Sequence, residues 1–178
     1  MAWGNPIIVD ACVLINLEAT GQLDLIARTL GLDLLVTESA RAEVGSLRDE
    51  FGGVIQIVPI QLERHTNSGS LAVIALEPNE LPTFVQLALA LGDGEASSIA
   101  VAASRGFAIA TDDRKARRIS IERGLPEPLR TTAILRAYCG RAQSAAPVVR
   151  DLLWAVQQRA NFVPPRSDPD RDWWRLHL

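Results

Sequence analysis

The sequence predicts an α/β protein, with helices layered on both sides of a mostly parallel sheet. Three observations carry that expectation. Short continuous apolar runs alternate with stretches that repeat apolar positions every three or four residues. Two of these runs stop at carboxylates, Asp10 and Asp112-Asp113. Apolar residues make up 48% of the 178-residue chain, enough to bury a core and too many for a disordered one.

The elements follow in order. Ile7-Ile8-Val9 reads as a buried parallel strand ending at Asp10. Leu14, Leu17, Leu23, Ile26 and Leu30 keep helical spacing, and Gly21 divides that stretch into two helices. Leu34-Leu35-Val36 is a second strand, after which Thr37 or Ser39 caps a helix over residues 39–50. Ile55-Gln56-Ile57-Val58 is a third strand, stopped at Pro59. His65-Thr66-Asn67-Ser68-Gly69 reads as a turn and residues 71–76 as a strand, with Pro78 and Pro82 flanking the next turn. Helices are expected over 84–91 and 95–104, broken by Gly92-Asp93-Gly94 and stopped by Gly106. Phe107-Ala108-Ile109-Ala110 is the last strand, running into Thr111-Asp112-Asp113. A basic helix over 114–123 and helices over 131–140 and 147–160 complete the chain, and Pro164 to Pro169 is not helical.

Composition removes several function classes. No apolar run reaches the ~18 residues of a membrane span. The N-terminus has no basic segment and meets a carboxylate at residue 10, unlike a signal peptide, so a cytoplasmic location with reduced Cys12 and Cys139 is expected. These cysteines and the distant His65 and His177 lack zinc-ligand spacing, and Cys12 is expected to point into the core. There is no phosphate-binding glycine loop for a nucleotide cofactor. Residues 1–103 hold 4 basic and 13 acidic side chains, whereas residues 104–141 hold 9 and 4. An acidic site beside a basic patch suits metal-assisted work on a polyanion, although basic helix faces are ordinarily just solvated.

In an open parallel sheet the functional crevice lies outside the carboxyl ends of the strands. Asp10 and Asp112/Asp113 can face one such crevice, where like charges repel unless a cation sits between them. Oxygen ligands with few histidines favour Mg²⁺ or Mn²⁺. Glu95 opens a helix whose small residues, Ala96, Ala100, Ala102 and Ala103, suit close packing on the sheet, which brings its carboxylate towards the strand ends. Asp93 reads first as that helix's cap and Glu43 as a surface residue.

The order of these features resembles the PIN-domain family. Its carriers are the strand ending at Asp10, Ala40-Arg41-Ala42-Glu43-Val44, Leu91-Gly92-Asp93-Gly94-Glu95-Ala96, and Ala110-Thr111-Asp112-Asp113-Arg114-Lys115-Ala116-Arg117. The closest likeness is to VapC-type toxin ribonucleases of bacteria and archaea and their relatives, over residues 5–140. The resemblance implies a three-layer α/β/α sandwich, with a PIN-like nuclease domain over residues 1–145 and a C-terminal helix and tail over 146–178 packed on it. It implies a divalent-metal-dependent endoribonuclease that hydrolyses RNA phosphodiesters. Asp10, Glu43, Glu95, Asp112 and Asp113 would form the acidic cluster, and Asp10, Glu95 and one or both of Asp112 and Asp113 would hold Mg²⁺ or Mn²⁺. Asn16, Thr111 and Asp93 would support it. Arg114, Lys115, Arg117 and Arg118 are the natural phosphate contacts.

If the chain is a toxin, its partners are an RNA substrate and an antitoxin protein that blocks the acidic groove. A homodimer is the base-rate expectation for assembly. Trp173-Trp174 is expected to dock on the protein's own surface. The competing reading is a catalytically silent module of the same fold that binds nucleic acid or protein. An aspartyl-phosphate phosphatase is disfavoured because Cys12 stands where that chemistry wants a second Asp.

Overall fold

The computed structural model describes residue 3 and residues 6–178. Its central sheet is built from β1 (Ile7–Val9), β2 (Leu34–Thr37), β5 (Leu71–Ile74) and β6 (Ala108–Ala110). They lie in the order β5-β2-β1-β6, every pair parallel. Side chains alternate between the two faces of a strand. Ile7 and Val9 enter one apolar cluster, with Leu34 and Val36, whereas Ile8 and Ile109 enter another.

Each cluster is closed by its own helices. The first is covered by α1 (Ala11–Ala19), α2 (Leu23–Leu30), α8 (Thr131–Arg141), α9 (Ala146–Arg159) and α10 (Arg171–His177), through residues such as Leu17, Ile26, Leu135, Leu153 and Trp174. The second is covered by α5 (Leu81–Ala88), α6 (Asp93–Arg105) and α7 (Arg114–Glu122), through Leu87, Ile99, Val101 and Ala116. The result is the three-layer α/β/α sandwich that the alternation of elements predicts.

Three segments depart from the expected elements. The helix expected over 39–50 is only α3 (Glu38–Glu43), capped by the Thr37 hydroxyl. Val44 leaves the helix with extended backbone, and the chain enters β3 (Ser46–Phe51). β3 pairs antiparallel with β4 (Val54–Pro59), so the expected third strand stands in a separate hairpin and not in the parallel sheet. The cause is Gly52-Gly53, both at positive φ (59° and 82°), a two-residue connection that only such residues make without strain. The expected turn at 65–69 is α4 (Glu63–Ser68), stopped by Gly69 at φ 76°. It buries His65 between Glu18 and Asp24: Nδ1 lies 2.6 Å from Asp24 Oδ1, and Nε2 meets Glu18. Finally, α10 follows the proline-rich tail and buries Trp174 edge-to-face on Phe162, with ring centroids 5.7 Å apart. Trp173 is half-buried beside it.

Candidate active site

β1 and β6 are adjacent and in register, with Val9 opposite Ala110, so the next residues of both leave the sheet side by side. Asp10 N–H still donates to Ala110 O (2.9 Å). Asp10 then caps α1, its Oδ1 accepting from Ala11 N–H (2.8 Å). Its Oδ2 accepts from the Thr111 hydroxyl (2.8 Å) and the Cys12 thiol (3.2 Å). Asp10 is 3% exposed, and every donor it receives is uncharged.

The two acids after β6 are held differently. Asp112 accepts from Thr131 N–H (3.0 Å), the Thr131 hydroxyl (2.6 Å) and Asn16 Nδ2 (3.0 Å). Burial raises its pKa, these donors oppose the rise, and the charge of Asp168 adds to it. Asp113 caps α7, with Oδ1 taking Ala116 N–H (2.7 Å), and its backbone N–H donates to the Thr111 hydroxyl (3.2 Å). Thr111 thus ties both strand ends together.

α3 and α6 supply the remaining acids. Glu43 Oε1 accepts from Gly94 N–H (2.8 Å), and Glu95 Oε2 accepts from Gly92 N–H (3.0 Å). A Cβ at Gly94 would stand 2.5 Å from Glu43 Oε2 and 2.7 Å from its Cδ, so any larger residue there would push the Glu43 carboxylate from its place. Burial raises the Glu95 pKa, the Gly92 N–H opposes this, and the charges of Asp10, Asp113 and Glu43 raise it further. Glu95 therefore lies within electrostatic reach of the other three. Among the described residues, none of the five acids forms an ion pair. Also among them, no group of three or more His, Cys, Asp or Glu side chains is placed so that it could hold a metal ion as it stands.

The structure redistributes several expected supporting roles. Asp93 is exposed and is the first residue of α6, whose cap is Gly92, so it does not cap the helix. Cys12 packs against the core, as expected, but its sulfur also faces the acids. Its sulfur lies between Asp10 and the Asp112 N–H (3.5 Å), and burial, followed by the charges of Asp10 and Asp112, pushes its pKa far up. The thiol is therefore protonated and serves as a neutral donor. Arg117 was expected at a phosphate but is buried, bonded to Pro128 O (2.8 Å) and paired with Glu127. Lys115 reaches Ala90 O, and Arg118 pairs with Glu122 at 3.5 Å. Arg114 is exposed and has no protein partner among the described residues.

Three contributors escape the sequence reading, Thr131, Arg130 and Asp168, and Gly94 is read there only as part of a helix break and a motif. Arg114, Arg130 and Asp168 border a cavity of about 220 Å³ beside Asp112. Asp168 accepts from the Thr132 hydroxyl (2.9 Å), so the C-terminal tail forms one wall of the site. A paired Thr131-Thr132 opening the helix after α7 was the available signal for one of them.

A three-layer α/β/α sandwich with carboxylates gathered at the carboxyl edge of its parallel sheet is a nuclease-type architecture. A family model described as a PIN domain matches residues 6–162, and the chain belongs to the PIN-domain family. No curated protein and no solved structure matches the chain.

Proposed function

We propose that the protein is a divalent-metal-dependent endoribonuclease that hydrolyses RNA phosphodiesters. One observation carries the reading: Glu95 lies within electrostatic reach of Asp10, Glu43 and Asp113, and among the described residues none of these four carboxylates is ion-paired. Hard oxygen donors in that state fit Mg²⁺ or Mn²⁺, and Mg²⁺ keeps several waters, so an open set of carboxylates suits it better than a closed cage. When bound, the ion would supply a water of lowered pKa and offset charge on the phosphorane.

The chain's own residues do the rest. Asp10, Glu95 and Asp113 are the proposed ligands: Glu95 and Asp113 each keep one carboxylate oxygen without a donor among the described residues, and Asp10 lies within electrostatic reach of Glu95 with only uncharged donors on its oxygens. Asp112 is the proposed positioning residue, because Thr131 and Asn16 hold its oxygens and it lines the cavity shared with Arg130 and Asp168. Glu43 and Gly94 fix the start of α6, which carries Glu95. Arg114 is the proposed phosphate contact, adding affinity without sequence preference. The 9 aromatic residues form no evident stacking platform, so RNA choice rests on shape. Cytoplasmic residence and a role as a toxin held by an antitoxin belong to the same proposal.

Cleavage of a mixed tRNA and mRNA pool with Mn²⁺, Mg²⁺ or EDTA tests it, with Asp10→Asn alongside. Metal-dependent cleavage lost in Asp10→Asn is the expected result. Absence of cleavage and of any Mn²⁺-induced rise in melting temperature would favour a silent binding module.

A further inference from the structure

The hairpin of β3 and β4 presents an edge built to pair with itself. β4 has one strand neighbour, β3, and all six of its residues are exposed. β3 is tied to the body through Asp49, whose Oδ1 lies 2.5 Å from Arg159 Nε on α9, so β4 is the free side. Natural edge strands are usually protected by charge, but residues 54–58 read Val-Ile-Gln-Ile-Val and carry none.

That segment is a palindrome about Gln56. A two-fold axis at Gln56 would set Val54 opposite Val58 of a second copy, Ile55 opposite Ile57, and Gln56 opposite itself. Such isologous pairing is what a symmetric dimer requires. The backbone agrees. Ile60 N–H donates to Gly45 O (3.0 Å), and the alternation of an antiparallel ladder turns the polar groups of Val58, Gln56 and Val54 the same way, towards β3. The N–H and C=O groups of Ile55 and Ile57 therefore face outward, and these are the residues that pair with each other across the axis. Pro59 lacks an N–H, so the ladder stops there.

We propose that two copies of the chain join β4 to β4 in antiparallel register about Gln56, making one four-stranded sheet across a two-fold axis. Four backbone hydrogen bonds form, all between Ile55 and Ile57 of opposite copies. Phe51, Val54, Ile55, Ile57 and Val58 are 36% to 65% exposed. Each Ile55–Ile57 pair is flanked by Glu50 on one side and Arg48 on the other, so the rows are neutral.

Sedimentation equilibrium of the full chain tests the proposal. The wild type is expected at twice 19.3 kDa and Ile57→Lys at 19.3 kDa, with an unchanged circular dichroism spectrum. Gln56→Cys fixes the register. Directly opposed residues without mutual backbone bonds have Cα atoms about 4.5 Å apart, within disulfide reach. Oxidised glutathione is therefore expected to cross-link Gln56→Cys into a dimer. It should leave Ile55→Cys, which is two residues out of register with itself, and the wild type uncross-linked. A monomeric wild type would overturn the proposal. So would a dimer that survives Ile57→Lys, or one in which Gln56→Cys fails to cross-link. A seam on another face, or another protein's strand on this edge, would show itself in that way.

Discussion

Glu18 and Asp10 are equally buried carboxylates, 2% and 3% exposed, on the same helix and its cap. Glu18 meets His65 and Arg64, and the neighbouring Asp24 shares the same histidine. Asp10 receives only an amide, a hydroxyl and a thiol, and the Glu95 carboxylate lies within electrostatic reach of it. Burying a charge without a partner is costly. The first group is neutralised within the chain and reads as structure. The second leaves its charge standing, which on the proposed reading is reserved for a cation. Acidity alone does not separate the two regions; the basic partners of one and their absence in the other do.

Mutation can break this contrast from either side. Asp10→Asn is expected to reduce RNA cleavage by more than about a hundredfold, the upper end of losses seen even for groups behind metal ligands. Its metal-free melting temperature should hold or rise, because one like charge is gone. Wild-type cleavage by that variant would remove Asp10 from the site. His65→Ala should do the reverse. It takes the buried histidine away from Glu18 and Asp24, leaving Glu18 with Arg64 alone, costs on the order of 3 kcal/mol in urea unfolding, and leaves the cleavage rate of the folded fraction intact. A cleavage defect without lost stability would tie the His65 cluster to the chemistry.

Smaller effects sharpen the picture. Gly94→Ala drives a Cβ into the Glu43 carboxylate, so cleavage is expected to fall about tenfold while stability moves by less than ~1 kcal/mol. Glu95 has a pKa raised by burial and by its acidic neighbours. An acid with a raised folded-state pKa favours the folded state when protonated and penalises it when ionised. Glu95→Gln without metal should therefore melt higher than wild type at neutral pH. The gap should close as pH falls through the raised value towards the ordinary ~4.3. A gap that widens in acid would contradict the repulsion. The smallest effect concerns the basic helix. Arg114→Ala is expected to reduce the salt slope of RNA binding by about one phosphate contact. Arg117→Ala should instead destabilise the fold, since its guanidinium holds Pro128 O and Glu127.

The layered fold was legible because periodicity is a local property. Ile7-Ile8-Val9 and Phe107-Ala108-Ile109-Ala110 read as strands without reference to anything else, and β1 and β6 lie within them. The hairpin was less so. Residues 39–50 carry helix-forming side chains, and only Gly52-Gly53 signals that the chain doubles back. The candidate carboxylates are proposed from their order along the chain. How each is held depends on contacts made far away in sequence: Thr131 with Asp112, Thr111 with Asp10, Gly94 with Glu43. Cys12 shows the limit most clearly. A free cysteine beside a strand reads as core, and only the fold reveals its thiol between two acids.

The most direct test of the unpartnered carboxylates is the melting temperature of the intact chain titrated with Mn²⁺, beside Glu95→Gln and His65→Ala. A saturable rise is expected in the wild type and in His65→Ala, and not in Glu95→Gln. No rise in the wild type, or an equal rise in all three, would contradict a cation site at the edge of the sheet.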